Sequence, residues 1–476
     1  MHSKHPHYIF GCVFAAAIAV LGCSKNGPET QTGRAGAGET LPDNTDRAAS
    51  DNTSDAAANI IVDPASSESI PASVDSVSTD PGVTQGGDAE SSGNLYDDAL
   101  AAMESGDLDT AFTLVRRAKA AAPDDPDTTF LMAHVLAERN RFAEAIKLLD
   151  DLAGEIPDAK LPVLGQTADW MVASGQWREA ERRYRELLDQ VPDASMAQRM
   201  LAQLLLREGR RQDAASYLHQ LCQSGVVEQS SLRSMLRLSF PLAGDASTDD
   251  LEPIGPLGIA RSQISRGEWQ DALKTLEDAQ SNDPSLVALT GRILAKQNNF
   301  DALQKWSDDI AEPLDGLADY WYAIGRLRLH QERYDAAIEC FCRVVLIDPT
   351  DDQAYLSLGE TLNALQRTAD ANIASQRAEL INSTHTIGER LSQAEDIDLS
   401  EVEKLIRSLE QLQRPFEALA WRVIEVSLRR SQSNLSDDEV RQRIAEINEQ
   451  RLQLLQSESP GAAKAFILCG IDYESL

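Results

Sequence analysis

Between Tyr320 and Leu380, apolar and small residues return at helical spacing, and the pattern predicts two helical hairpins laid end to end. Trp321, Gly325 and Ala337 are matched 34 residues later, at least in type, by Tyr355, Gly359 and Ala371. Gly325 or Gly359 lets a second helix approach closely, and Ala337 or Ala371 sits at that contact. Pro349 ends the first hairpin. One hairpin of this kind cannot bury its own apolar face, so neighbours are expected on both sides.

The same grammar extends backward along the chain. A small residue on the first helix recurs at Ala99, Ala133, Ala168, Ala202, Ala260, Gly291, Gly325 and Gly359. Twelve residues after each comes a second-helix position: Ala111, Ala145, Ala180, Ala214, Ala272, Leu303, Ala337 and Ala371. Only Leu303 breaks that series. Phe142, Trp177, Trp269, Phe300 and Tyr334 stand three residues before the second-helix position and cover the turn, while Pro123, Pro157, Pro192, Pro284 and Pro349 close units. Eight units follow, at about 92–125, 126–159, 161–194 and 195–222, then 253–283, 284–317, 318–351 and 352–385. Four therefore fall in 95–228 and four in 253–385, around an interruption at 229–252. The break from 223 to 252 holds an apolar, helix-like piece (Leu232 to Leu238), then Phe240-Pro241 and the loop Gly244 to Ser247. It is either a degenerate hairpin or a bend in the array.

A 34-residue unit with a large residue, then a small one, then Ala, then Pro resembles the tetratricopeptide repeat. The resemblance implies an all-α fold: a right-handed α-α superhelix, or solenoid, of about eight hairpins. It also implies that the first helices line a concave face, with the positions three before, one after and five after each small residue pointing inward. In the middle repeats those positions hold Arg199, Gln203, Arg207, Arg261, Arg292, Lys296, Tyr322, Arg326 and His330. The outer repeats give Phe130, His134 and Glu138 at one end and Glu360 at the other. A basic row of this kind suits an acidic or C-terminal-carboxylate peptide, held by charge-assisted hydrogen bonds. The alternative is solvated surface charge, partly paired with nearby Asp and Glu. The row departs from the Lys/Asn/Lys/Arg carboxylate clamp of chaperone-binding members, because Glu360 stands where that clamp is basic.

Beyond residue 385 the period fades but helix signals continue. Ser400-x-x-Glu403 and Ser436-x-x-Glu439 read as capping boxes. The first opens a helix to about Leu412. Pro415 and Phe416 start a second, with Leu419, Val423 and Val426 on one face, and the second box opens a polar helix through Leu455. An open solenoid needs a water-compatible end, so 386–476 is expected to be a helical cap. A dimerisation surface is the alternative.

The chain has 476 residues, with 44 basic against 76 acidic ones and a net charge of −32. That argues against nucleic acid or an anionic membrane surface as the main partner. After Lys4, the apolar run Tyr8 to Gly22 is 15 residues long, the length of a signal-peptide core rather than a membrane span. It ends Val20-Leu21-Gly22-Cys23, which resembles the lipobox of bacterial lipoproteins. The resemblance implies loss of a signal peptide (1–22), diacylation of Cys23 by palmitate-type chains and lipid anchoring in the cell envelope. Ser24 after the Cys implies the outer membrane, with the protein facing the periplasm. An uncleaved anchor or an ordinary signal peptide is the alternative. From residue 24 to 94 there is no aromatic residue and there are few large aliphatics, so 23–94 reads as a disordered tether. About 70 such residues span roughly 45 Å.

Catalytic signatures are missing. There is no Gly-x-Ser-x-Gly elbow, phosphate loop, His-Glu-x-x-His or Cys-x-x-Cys. Past the signal, His134, His219, His330 and His385 fall in different repeats, and none pairs with another at ligand spacing. Cys340 and Cys342 are two apart on one helix and point to different sides, while Cys222 and Cys469 stand alone. The sequence thus points to a non-enzymatic interaction scaffold without metal or cofactor, its groove holding a partner protein or peptide. The alternative is an assembly factor for envelope machinery, acting through its convex face and residues 400–457.

Overall fold

The computed structural model describes residues 92–226, 228–236, 238, 252–393, 398–433, 435–457 and 461–473. The expected signal peptide, Cys23, the tether to residue 91 and the 239–251 loop lie outside them. Among the described residues there are 21 α-helices, one 3-10 turn at Pro157–Ala159 and no strand. None of these helices is long and apolar enough to cross a membrane. The described chain divides after Pro192 into two compact units.

The first unit holds three hairpins: α1 (Ser92–Glu104) with α2 (Leu108–Ala121), α3 (Pro126–Glu138) with α4 (Phe142–Glu155), and α5 (Lys160–Ala173) with α6 (Trp177–Gln190). The second opens with a fourth hairpin, α7 (Ser195–Arg207) and α8 (Arg211–Ser224), and then a lone helix, α9 (Gln229–Leu236). Four more hairpins follow: α10 (Gly255–Ser265) with α11 (Trp269–Asp278), α12 (Pro284–Lys296) with α13 (Phe300–Asp308), α14 (Ala318–His330) with α15 (Tyr334–Ile347), and α16 (Asp352–Ala364) with α17 (Thr368–Gln393). The chain then runs through α18 (Leu399–Gln411), α19 (Pro415–Ser433), α20 (Asp437–Leu455) and a short α21 (Lys464–Ile467).

The small-residue series marks the contact between the two helices of each hairpin. All eight second-helix positions from Ala111 to Ala371 are fully buried, Leu303 included. At Gly325 a Cβ would come within 2.7 Å of the Phe341 ring, and at Gly291 within 2.2 Å of Trp306, so neither first helix could carry a side chain there without moving its partner.

A second periodic signal runs beside this one. Seven residues after each small residue the backbone turns left-handed, at Gly106, Asn140, Gly175, Gly209, Gly267, Asn298, Glu332 and Gln366. Gly and Asn tolerate that conformation best, which explains six of the eight choices. The next residue then donates to a carbonyl of the preceding helix, as in Arg141 N to Leu136 O and Arg367 N to Leu362 O, both 2.9 Å. Gln413 repeats the turn (φ 54°), with Arg414 N on Leu409 O at 2.9 Å and Ala418 buried five residues on. The pair α18–α19 is thus one more hairpin of the same geometry. The 26-residue α17 separates it from the others and throws it out of the 34-residue period.

Two local expectations change. The cap of α18 is Asp398, whose carboxylate accepts from Ser400 N at 2.8 Å, so Ser400 is inside the helix and is not its capping residue. The box at Ser436 and Glu439 does form. Between α8 and α10 the described residues contain one helix rather than a hairpin, and the fourth and fifth hairpins touch where α7 ends and α10 begins. Ile254 N donates to Arg207 O at 2.8 Å, and Gly258 lies so near that its Cβ would sit 2.1 Å from the same carbonyl oxygen. Meanwhile α9 packs against α7, α8, α17 and α19.

Candidate interaction site on the first helices

The inward positions of the second unit do not form one open basic surface. Arg261 and Arg292 are buried, 4% and 3% exposed, and their charges meet two equally buried acids. Arg261 Nη2 donates to Asp319 Oδ2 at 2.6 Å, while Arg292 Nη1 donates to Asp351 Oδ2 at 2.6 Å and to Asp319 Oδ1 at 3.3 Å. The Arg292 guanidinium also lies 4.3 Å from the centre of the Tyr322 ring. Burial works against its charge, but Asp351 and Asp319 more than offset that and hold its pKa above the ordinary guanidinium value. Asp351 has a second task, accepting from Ala354 N at 3.0 Å as the cap of α16. Four successive first helices, α10, α12, α14 and α16, are linked through this ladder.

The other arginines of the row are engaged differently. Arg199 pairs with Glu228, just ahead of α9, and Arg207 Nε donates to Glu252 O at 3.0 Å. Gln203 is half-buried. These three residues belong to the junction around α9.

What stays open is a cleft of about 250 Å³ across α12, α14 and α16. Lys296, Tyr322 and Arg326 line it, together with Asn298, Leu356 and Glu360. Arg326 Nη1 donates to Glu360 Oε2 at 2.8 Å, and this pair is partly solvated, with Glu360 60% exposed. Lys296 donates to Gln353 at the rim. Leu356 is 45% exposed, which is unusual for its type, and is an apolar residue in a mostly polar lining. His330 leaves the cleft and stacks on Phe300, ring centres 3.8 Å apart. The sequence carried a signal for Leu356, which stands three before Gly359, an inward position by the same rule. Asp319 and Asp351 carried none. A second cleft, about 360 Å³ and mostly apolar, lies between α19 and α20, lined by Pro415, Ala418, Leu419 and Leu454. Leu452 and Leu455 are exposed at that end of α20.

In the first unit two inward neighbours carry opposed pH dependences. His134 is buried edge-on to Trp170, and burial pushes its pKa down to about 4. Burial pushes Asp169 up to about 6, although the Tyr184 hydroxyl donates to it. From about pH 4 to 6.5 the unfolded chain holds the extra proton at His134, so that site makes stability rise with pH. From about pH 4 to 6 the folded chain holds the extra proton at Asp169, so that site makes stability fall. The two slopes nearly cancel. Asp169→Asn should uncover the rise and His134→Gln the fall, read as hydrogen-exchange protection of α3 to α6 at both ends of the window. Equal slopes in the two variants would contradict the assignment.

Among the described residues no group of three or more His, Cys, Asp and Glu could hold a metal ion. Cys222, Cys340, Cys342 and Cys469 are free and buried, and burial raises each thiol pKa, which makes them inert packing groups.

Profiles of the tetratricopeptide repeat match residues 102–161, 172–225 and 318–351. The cellulose synthase operon protein C of Pseudomonas fluorescens (strain SBW25) is 24% identical over 333 residues, which is 62% of this chain and 26% of that protein. The chain thus spans about a quarter of the length of this relative. A tetratricopeptide repeat protein from Parabacteroides merdae aligns over 58% of this chain and all of its own, at 14% identity and a TM-score of 0.27. The APC/C hetero-tetramer Cut9-Hcn1 aligns over 77% and 80%, at 14% identity and a TM-score of 0.25. With its hairpins, their 34-residue period and the three matched stretches, this chain carries tetratricopeptide repeats, a generally non-catalytic protein-interaction fold.

Proposed function

We propose that the protein is a scaffold of the bacterial cell envelope, lipid-anchored through Cys23 in the outer membrane, that holds a partner protein on the first-helix face of its second unit. The cleft of Lys296, Tyr322, Arg326, Leu356 and Glu360 carries the reading: a mostly polar, charged cleft with one exposed leucine, on the face this repeat uses for recognition. Arg261 and Arg292 are neutralised by buried acids of the same chain, so preference for an acidic segment rests on Lys296 and on Arg326, whose own partner Glu360 is largely solvated and would give way to the segment's acid. The name of the Pseudomonas relative ties that protein to a cellulose synthase operon and supports placing this one with envelope machinery. A second reading, an assembly factor contacting its partners through the C-terminal helices, draws on the apolar cleft between α19 and α20 and on exposed Leu452 and Leu455. A photoreactive residue at Leu356, activated in intact cells, should capture the partner. Capture from Leu452 alone would favour the second reading.

A further inference from the structure

We infer that the outer face of α2 is a docking strip for the acidic segment leading into Ser92, so that residues 84–91 of this chain lie along the first hairpin. The strip belongs to the first unit and is separate from the cleft of the second. Phe112, Arg116 and Lys119 stand at i, i+4 and i+7 of α2 and share one side of it. Three guanidinium groups gather around the half-buried Phe112 ring, with Arg139 at 4.9 Å from its centre, Arg141 at 5.5 Å and Arg116 at 5.7 Å. Arg139 and Arg141 reach it from the turn between α3 and α4.

The charges of this cluster are weakly met within the described chain. Arg139 pairs with Asp109 at 2.5 Å and Arg141 with Glu144 at 2.6 Å, but those carboxylates are 91% and 58% exposed and exchange readily for another acid. Arg116 is exposed and has no ion-pair partner among the described residues. Lys119 donates to the neutral oxygens Pro123 O and Thr129 Oγ1. In a chain of net charge −32, a basic strip around an aromatic ring suits an extended, carboxylate-bearing segment.

The chain carries such a segment in reach. Between Arg47 and Ser92 there are eight acidic residues and no basic one. Because α1 and α2 pair as one hairpin, the chain enters α1 beside the end of α2. Acids crowd that end: Asp127 and Asp125 add to the rise that burial gives the Tyr96 pKa, to about 12. A segment arriving there is repelled at its point of entry and drawn along α2 toward the arginines. The 14 residues of α2 span about 21 Å, a distance that six or seven extended residues cover. The last eight before Ser92 include Asp88 and Glu90. Attachment at Ser92 keeps them at millimolar local concentration, so a few surface pairs suffice, whereas the same segment of a second copy has no such advantage.

The test uses the full chain with a photoreactive residue at Thr113, which is exposed next to Phe112. Illumination should give an intramolecular adduct that peptide mass spectrometry maps to residues 84–91. Asp88→Lys with Glu90→Lys should cut its yield at least about fivefold, and so should Arg116→Glu with Arg141→Glu. The four changes together should restore it, which damage to the fold could not do. An adduct between chains, an adduct on another segment, a yield indifferent to either reversal, or no recovery in the fourfold variant overturns the inference.

Discussion

Arg292→Ala is expected to destabilise the second unit by about 3–5 kcal/mol, the range for removing one partner of a buried ion pair. The change removes the cation shared by Asp319 and Asp351 inside the fold, where Asp319 also meets Arg261 and Asp351 also accepts from its capping amide. It also strips Tyr322 of the cation over its ring. Arg326→Ala, one repeat along, should cost no more than about 1 kcal/mol, because its partner Glu360 is largely solvated. Urea unfolding followed by tryptophan emission separates the two, and added salt should weaken only the Arg326 pair. A loss under about 1 kcal/mol at Arg292 would mean that the ladder is hydrated rather than buried.

Gly258→Ala is the second large effect. A methyl group there would sit 2.1 Å from the Arg207 carbonyl oxygen and within 3.2 Å of two further backbone atoms, so no side chain can swing away to make room. The fourth and fifth hairpins must part, at about 1–3 kcal/mol or more by the usual cost of overpacking. Gly154→Ala is the control. It is a helical glycine in α4 with nothing within 4 Å, and there the substitution should stabilise by roughly 0.5–1 kcal/mol. Thermal melts of the two variants should shift in opposite directions. A neutral Gly258→Ala would remove the close contact of the two hairpins at the Arg207 carbonyl.

The helices and their pairing were legible because each hairpin needs a small residue where its two axes meet, and Ala, Gly and their spacing record that need directly. The left-handed turns were equally legible through Gly106, Asn140, Gly175, Gly209, Gly267 and Asn298, a signal that the apolar period alone passes over. Gln413, like Glu332 and Gln366, carries no such signal, so the α18–α19 hairpin, which the long α17 also moves off the fixed interval, was not legible in this way. The inward row was legible as positions but not as a surface. Periodicity says that Arg261 and Arg292 share a face, yet it is silent on Asp319 and Asp351, which reach the arginines from the start of α14 and the cap of α16. The helix at 229–236 could be seen in its Leu232 to Leu238 pattern, but its place could not, because its contacts with Leu391, Thr350 and Arg414 span more than a hundred residues.

Crosslinking in intact cells from two positions of the eighth hairpin tests the scaffold reading most directly. Leu356 lies in the cleft on the first helix, and Ile373 is equally exposed on the second helix, outside it. The account predicts one discrete adduct from a photoreactive residue at Leu356, lost when Lys296 and Arg326 are both changed to Glu, and none from Ile373. The same adduct from both positions, or from Ile373 alone, would contradict it.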